Sequence, residues 1–271
     1  MIDALQYDFM QQALMAGLLT SLICGIMGSI TVINRLVFLS GGIAHAAYGG
    51  IGLSIFMGWP FLAGTIGFSM ATALLMAAVT IYNRERSDAI IGVIWATGMA
   101  IGIILVDLTP GYQVDLMSYL FGSILTVPNS DLIVMEWVAG GIILFVCLFY
   151  DAILAISYDE EFARVRGVHV TFLYFSMIVL LAVTIVLVIQ VVGLILIIAL
   201  LTIPAYIMEK YTKSLWQMML GSIGLNALFS TVGLILAYHF NISASASIIL
   251  MAGACFLIHL GIGTIFENLS H

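Results

Sequence analysis

One histidine interrupts an apolar, glycine-rich stretch, LSGGIAHAAYGG, at residues 39–50. A neutral imidazole can bind a divalent transition metal ion or exchange a proton, and both chemistries require an ion or water to reach the ring. If the stretch is helical, Gly41 and Gly49 lie on the face of His45, where their missing side chains leave room beside the ring. The stretch therefore predicts either a polar path lined by His45 or a structural histidine bonded to a neighbouring helix.

A glutamine lies in the longest apolar run, residues 172–208. This run is too long for one membrane crossing and should hold two helices that meet near Gln190 and Gly193. Polar side chains at membrane depth usually face the bundle interior or water. Gln190 is therefore a second candidate for lining a path, with an ordinary interhelical hydrogen bond as the alternative.

The most polar part of the chain is SYDEEFARVRGVHV, residues 157–170. Its acidic residues precede its basic residues, which is the order that a helix macrodipole favours, and a glycine follows where it can cap the helix. The pattern predicts a short helix across the cytoplasmic face, either a solvated connector or a docking helix for a soluble partner. The charged and capping residues are Asp159, Glu160, Glu161, Arg164, Arg166 and Gly167.

The composition places the chain in a lipid bilayer. Of its 271 residues, 63% are apolar and 8% are charged, with a mean hydropathy of +1.22, whereas soluble domains contain about 25% charged residues. The net charge of −7 argues against the basic face that nucleic acid requires, so no nucleic-acid partner is expected. The three cysteines each lie in an apolar run and match no metal or disulfide pattern.

The sequence shows no recognisable site for nucleotide binding or catalysis. Nothing matches G-x-x-x-x-G-K-[ST], and Lys210 and Lys213 are the only lysines. If ATP drives this protein, another polypeptide must hydrolyse it. No Ser-His-Asp set or pair of catalytic carboxylates stands out, so no catalytic residue is assigned and the chain is not expected to be an enzyme.

The basic residues test the membrane topology, because Lys and Arg collect on the cytoplasmic side. The apolar segment 116–127 has 12 residues and would cover only ~18 Å at ~1.5 Å per residue. If it does not cross the membrane, all seven Lys and Arg residues lie inside. The sequence thus predicts an all-α membrane protein with one transmembrane domain over 1–271, about nine transmembrane helices, a non-spanning segment at 116–127, the N-terminus outside and the C-terminus inside. The predicted spans are 10–33, 40–58, 61–82, 88–106, 131–150, 172–190, 191–208, 214–238 and 245–266.

Four stretches, taken in order, resemble those of one transporter family: NRLVFLSGGIAHAAYGG, VDLMSYLFGSIL at 114–125, EEFARVRGV, and VVGLILIIALLTIPA at 191–205. From about residue 10 to residue 265, the chain is similar to the permease subunits of ABC importers for zinc, manganese and iron. The resemblance implies a fold like that of type II ABC importers. It also implies ATP-driven uptake of a divalent transition metal ion, with zinc or manganese first and iron as a further candidate.

The resemblance implies partners and a location as well. Two copies of the permease would form the path, a separate cytoplasmic ABC ATPase would hydrolyse ATP, and an extracytoplasmic metal-binding protein would deliver the ion. The chain would lie in the lipid bilayer of the prokaryotic inner or plasma membrane as a multi-pass protein. No cofactor would be bound permanently, and the transported zinc or manganese ion would be the only metal.

The resemblance also assigns roles to individual residues. The helix at about 158–167 looks like the coupling helix that docks into the ATPase, which adds Phe162 and Ala163 to the charged residues named above. His45 matches a histidine proposed to bind the metal. Many members carry an aspartate four residues before that histidine, and this position is Gly41 here. His45 would then meet its counterpart in a second copy, or hold the ion weakly.

Two other classes of protein remain as alternatives. A secondary transporter driven by an ion gradient needs protonatable groups deep in the bundle, and His45 and His259 are the only candidates. An intramembrane enzyme needs catalytic groups that converge near one face, and the sequence offers no such set.

Overall fold

The computed structural model describes residues 7–82, 84–110, 122 and 124–269. Within these ranges every regular element is helical, and nine of the helices have 18 or more residues. Short 3₁₀ turns lie at Arg84–Arg86 and Ile124–Thr126. The helices are α1 (Asp8–Ile33), α2 (Val37–Met57), α3 (Phe61–Tyr82), α4 (Ser87–Asp107), α5 (Asn129–Tyr158), α6 (Glu160–Val165), α7 (Val170–Val192), α8 (Leu194–Tyr211), α9 (Leu215–Phe240) and α10 (Ala244–Leu269).

Eight of the nine long helices are long and apolar enough to cross a membrane by length and composition. The exception is α2, whose 21 residues span ~30 Å at ~1.5 Å per residue. Its glycines and His45 lower its hydropathy, so composition alone passes over the helix that holds the candidate path residue. The described helices confirm the prediction of an all-α protein with about nine spans.

Two predicted boundaries can be compared with the helices. The run 172–208 divides at Gly193, whose φ of +87° ends the regular backbone between α7 and α8. This agrees with the prediction. The span predicted at 131–150 is shorter than the helix, because α5 has 30 residues and ends at Tyr158. Hydropathy marks the hydrocarbon thickness, whereas a helix continues until a capping residue ends it.

The segment at 116–127 is described only at residue 122 and residues 124–127, where Ile124–Thr126 forms a 3₁₀ turn. Its other residues, with most of the VDLMSYLFGSIL motif, lie outside the described residues. That the segment does not cross the membrane stays a prediction, as do the orientation of the termini and the single domain over 1–271.

The chain divides into two compact units that interleave along the sequence. The first contains α1, the first part of α5, and α8 to α10. The second contains α2 to α4, the rest of α5, α6 and nearly all of α7. His45 and the charged connector therefore belong to the same unit.

In the first unit, serines join α1 to α9. The hydroxyls of Ser21 and Ser230 are 3.4 Å apart, and Ser29 donates to the Ser222 hydroxyl at 3.3 Å. Between these pairs, a Cβ placed on Gly25 would lie 2.6 Å from the Ile223 nitrogen, so the two backbones approach closely. Small and hydroxylated residues are typical of helix contacts in membranes.

A proline inside α8 leaves one backbone carbonyl without its usual hydrogen-bond donor, and a side chain of α9 supplies a donor. Pro204 has no N–H to donate to the carbonyl of Leu200, four residues earlier. The buried side chain of Asn226 supplies the missing donor, because its Nδ2 lies 3.1 Å from the Leu200 oxygen. On the other side of α8, a Cβ on Gly28 would overlap the Leu201 carbonyl.

In the second unit, α2 packs on α3 and α4 through glycines. A Cβ on Gly49 would lie 2.6 Å from both the Gly98 oxygen and the Phe68 ring, and one on Gly50 would lie 2.8 Å from the Thr65 Cα. Gly52 and the facing glycine of α4, Gly102, approach even more closely. This contact fixes α2 against its neighbours and so sets the position of His45.

Candidate functional site

His45 lies in α2 against an aromatic side chain of α4. Its ring centroid is 4.2 Å from that of Trp95, with 33° between the two planes. The other neighbour of Trp95 is Phe38, at 6.4 Å between centroids. His45 is partly exposed, so part of the residue stays accessible.

The hydrogen bond of His45 decides which ring nitrogen is available. Nδ1 lies 2.9 Å from the Gly41 carbonyl oxygen, one turn earlier in α2. A carbonyl oxygen only accepts, so Nδ1 donates and the neutral ring keeps its lone pair on Nε2. A backbone carbonyl that orients the other nitrogen is the usual support for a metal-binding histidine. Nε2 of His45 can therefore act as a ligand.

The two glycines predicted to line a path have different surroundings. A Cβ placed on Gly41 meets no atom within 4 Å, so the space beside His45 at this position is open. Gly49 is enclosed by α3 and α4, as described above, and close helix packing accounts for its lack of a side chain. Of the pair, Gly41 is the residue that borders open space, so it stays the candidate for leaving room near the imidazole.

Gln190 lies in the last turn of α7. Its Nε2 is buried and has no hydrogen-bond partner among the described residues. An unpaired buried amide is costly, so this group needs an acceptor that a single described chain does not supply. Gln190 stays a candidate for the path on this ground.

No group of three or more His, Cys, Asp and Glu side chains that could hold a metal ion occurs in the described parts of the chain. A site of the closed, four-ligand kind is therefore not formed by these residues. An ion at Nε2 of His45 would complete its coordination with water or with groups from another chain. Such loose coordination suits a path, because a conducted ion must also leave.

The charged connector forms the short helix α6, with a cap at each end. The Asp159 carboxylate accepts from the backbone N–H groups of Glu161 at 2.9 Å and Phe162 at 3.0 Å. At the other end, Gly167 has a φ of +81°, and its N–H donates to the Arg164 oxygen. The bond from Val168 to Ala163 completes a Schellman motif. The predicted helix and its glycine cap agree with this geometry.

The side chains of α6 divide into a buried and an exposed set. Ala163 has no exposed surface, so it packs within the chain and is not available to a partner. Val165 is 87% exposed and Phe162 is 49% exposed. The charged residues are held in place around them: Arg164 pairs with Glu160 at 2.6 Å, and Arg166 stacks over the Phe162 ring at 4.8 Å.

The residues that line this surface were only partly predicted from the sequence. Val165 was missed, although its place three residues after Phe162 puts both on one side of a helix. Trp95 was missed as well. The sequence feature that could have indicated Trp95 is its position near the middle of an apolar helix. Trp216, by contrast, lies close to a helix end, and Trp59 lies between two helices.

Comparison with known proteins identifies the family. A model described as the ABC 3 transport family matches residues 6–263. The chain is 51% identical to an uncharacterized membrane protein of Synechocystis sp., over 96% of this chain and 92% of that protein. It is 33% identical to the manganese import system permease protein ScaB of Streptococcus parasanguinis, over 95% of this chain and 92% of that protein.

Solved structures agree with the sequence comparisons. The fold matches that of PsaBC from Streptococcus pneumoniae in complex with Fab, with a TM-score of 0.85 and 33% identity over 95% of this chain and 93% of that chain. A putative metal-chelate type ABC transporter in an inward-facing conformation shares the fold at 17% identity, with a TM-score of 0.69 over 92% of this chain and 85% of that one. With nearly its whole length matched by the family model, this chain belongs to the ABC 3 transport family.

Proposed function

We propose that this chain is the membrane permease of an ATP-driven importer of divalent transition metal ions. The observation that carries the proposal is the match to a manganese import permease over 95% of the chain. His45 adds a chemical reason, since the bond of Nδ1 to the Gly41 carbonyl leaves Nε2 available as a ligand, and the space at Gly41 is open. Two copies of the chain form the path in this proposal, with the N-terminus outside, the C-terminus inside, and a metal-binding protein delivering the ion from outside the cell.

A second polypeptide hydrolyses ATP, because this sequence has no phosphate-binding loop. The connector helix α6 is the surface that docks on this ATPase. Phe162 and Val165 supply exposed apolar contact area, and Glu160, Glu161, Arg164 and Arg166 form a charged rim. An apolar centre inside a polar rim is the usual anatomy of a protein interface.

Two observations about the identity of the transported ion point to different metals. An imidazole suits zinc, iron and other metals that favour nitrogen, whereas manganese favours carboxylate, carbonyl and water ligands. The similarity to the manganese import permease ScaB points to manganese. Water molecules in the open space at Gly41 would supply the oxygen ligands that a carboxylate does not provide here.

The experiment is reconstitution of the permease with its ATPase chain in lipid vesicles. We expect Mn²⁺ to stimulate ATP hydrolysis and ATP to be required for uptake, with Zn²⁺ as a parallel arm. Val165→Asp places a charge in the apolar centre of α6 and should remove the ATPase from the purified complex. Uptake that needs a proton gradient and ignores ATP depletion would indicate a secondary transporter instead.

The role of His45 is tested in the same vesicles. His45→Ala removes the ligand nitrogen and should lower Mn²⁺ uptake by about tenfold or more, the loss expected for about 1.4 kcal/mol of binding. His239→Ala, which changes an exposed histidine near the end of α9 and away from the connector sequence, is the matched control and should leave uptake unchanged. Equal uptake by the two variants would contradict the assignment of His45.

A further inference from the structure

One side-chain hydrogen bond ties the turn between α1 and α2 to the end of α5. Asn34 Nδ2 donates to Ser157 Oγ at 3.0 Å, across 123 residues of sequence. Ser157 Oγ also lies 2.8 Å from the carbonyl oxygen of Ile153 in its own helix and, farther away, 3.3 Å from Asn34 Oδ1. A serine hydroxyl has one proton, so it donates to Ile153 and accepts from Asn34. Both side chains are partly buried.

The two ends of this bond adjoin the two functional elements of the second unit. Ser157 stands two residues before Asp159, whose carboxylate caps α6. Asn34 stands three residues before Val37, where α2 begins, and α2 carries His45. The bond therefore joins a residue just before the connector helix α6 to a residue just before α2.

The turn that holds Asn34 is fixed and not loose. Arg35 has a φ of +56°, in the left-handed region that a residue other than glycine adopts only when its surroundings impose it. Leu36 is 4% exposed, and its carbonyl accepts from the Ser40 N–H at 2.8 Å, which joins the turn to the first turn of α2. A displacement of Asn34 is thus passed to α2 as a unit, because packed elements move together.

We propose that Asn34 and Ser157 are positioning residues that transmit movement of the docked α6 to α2. This inference rests on the proposed function. Neither residue is assigned a contact with the ion or with the ATPase. When the ATPase moves α6, the end of α5 carries the Ser157 hydroxyl with it, and the bond to Asn34 moves the start of the helix that holds His45.

The experiment measures the number of ATP molecules hydrolysed per Mn²⁺ ion imported by the reconstituted complex. Ser157→Ala and Asn34→Ala each remove the bond and should raise this ratio about fivefold, the change that corresponds to about 1 kcal/mol for one hydrogen bond. Ser157→Thr keeps the hydroxyl and should retain the wild-type ratio. Ser176→Ala is the matched control, since among the described residues that hydroxyl bonds only the Phe172 carbonyl of its own helix α7.

Three further results distinguish a loss of coupling between α6 and α2 from a general loss of structure or assembly. The ATPase should co-purify with Ser157→Ala as it does with the wild type, in contrast to Val165→Asp. The double variant of Asn34 and Ser157 should be no worse than either single variant, because both remove the same bond. Ser157→Cys preserves the size but accepts weakly, and it serves where an alanine variant does not assemble.

The inference is overturned if both single variants keep the wild-type ratio, or if their effects multiply in the double variant. A wild-type complex without Mn²⁺-stimulated hydrolysis would instead overturn the proposed function. A functional wild type with equally well-coupled variants overturns only the transmission role of Asn34 and Ser157.

Discussion

Polar residues within apolar helices serve different purposes in the first unit and around His45 in the second unit. In the first unit, such residues bond to neighbouring helices: Ser21 to Ser230, Ser29 to Ser222, and Asn226 to the Leu200 carbonyl. In the second unit, α2 packs on its neighbours through glycines, and His45 bonds only to the Gly41 carbonyl of its own helix. The first unit uses its polar groups for cohesion, whereas the second keeps one ring nitrogen available.

This difference gives a criterion for sorting polar residues in membrane helices. A side chain that hydrogen-bonds to another helix is explained by association of the helices. A side chain that is oriented by its own helix and borders open space has capacity left for a ligand. This criterion supports the proposal that His45 lines a path, whereas the bond of Asn226 to Leu200 is explained by helix packing.

The largest expected effect tests whether the close glycine contacts matter equally in both units. Gly49→Ala pushes a Cβ against the Gly98 oxygen and the Phe68 ring, and Gly28→Ala pushes one against the Leu201 carbonyl. Each should lower the free energy of unfolding by about 3 kcal/mol, the upper range for overpacking, because backbone atoms cannot move aside cheaply. The thermal unfolding midpoint of the purified protein in detergent is the measurement.

Gly92→Ala in α4 is the control, since a Cβ there meets no atom within 4 Å. It should raise stability by about 0.4–1 kcal/mol, because alanine has less conformational freedom to lose in a helix. If Gly49→Ala or Gly28→Ala is as stable as Gly92→Ala, the close approach of the helices is not what these glycines provide.

Local features were predictable from the sequence because a few neighbouring residues determine them. The caps at Asp159 and Gly167 and the break at Gly193 each follow from one residue type in its local setting. Long-range pairs were not predictable. Trp95 beside His45 and Asn226 beside Pro204 join different helices, and a sequence pattern does not encode which faces meet. The end of α5 was missed because hydropathy marks the part of a helix that lies in the lipid and not the residue at which the helix ends.

The second prediction concerns the bond that is particular to the first unit. Asn226→Ala leaves the Leu200 carbonyl without its donor and should cost about 2 kcal/mol of stability, within the range for an unsatisfied buried group. In a Pro204→Ala background the cost should largely disappear, because the alanine that replaces the proline can donate its own N–H to that carbonyl. The four proteins of this cycle are compared by thermal unfolding.

Thr231→Ala is the matched control for this cycle, since within the described part of the chain the Thr231 hydroxyl bonds only the Ala227 carbonyl of α9. Its effect should be small and the same whether proline or alanine occupies position 204. A cost for Asn226→Ala that is independent of the residue at this position would show that the asparagine does not compensate for the proline.

The smallest expected effect sharpens the account of the second unit. Gly41→Asp places a carboxylate one turn before His45, on the same helix face and in open space, while the backbone carbonyl that orients Nδ1 stays in place. An Asp and a His at this spacing can share a divalent ion. Affinity for Mn²⁺ should rise about tenfold, or about 1.4 kcal/mol, as measured by calorimetry on the permease in lipid nanodiscs. Gly41→Asn has the same size without the charge and should bind Mn²⁺ far more weakly than Gly41→Asp. Equal affinities for the two variants would mean that Nε2 of His45 does not face the space at Gly41, and the second unit would then hold its histidine for cohesion, as the first holds Asn226.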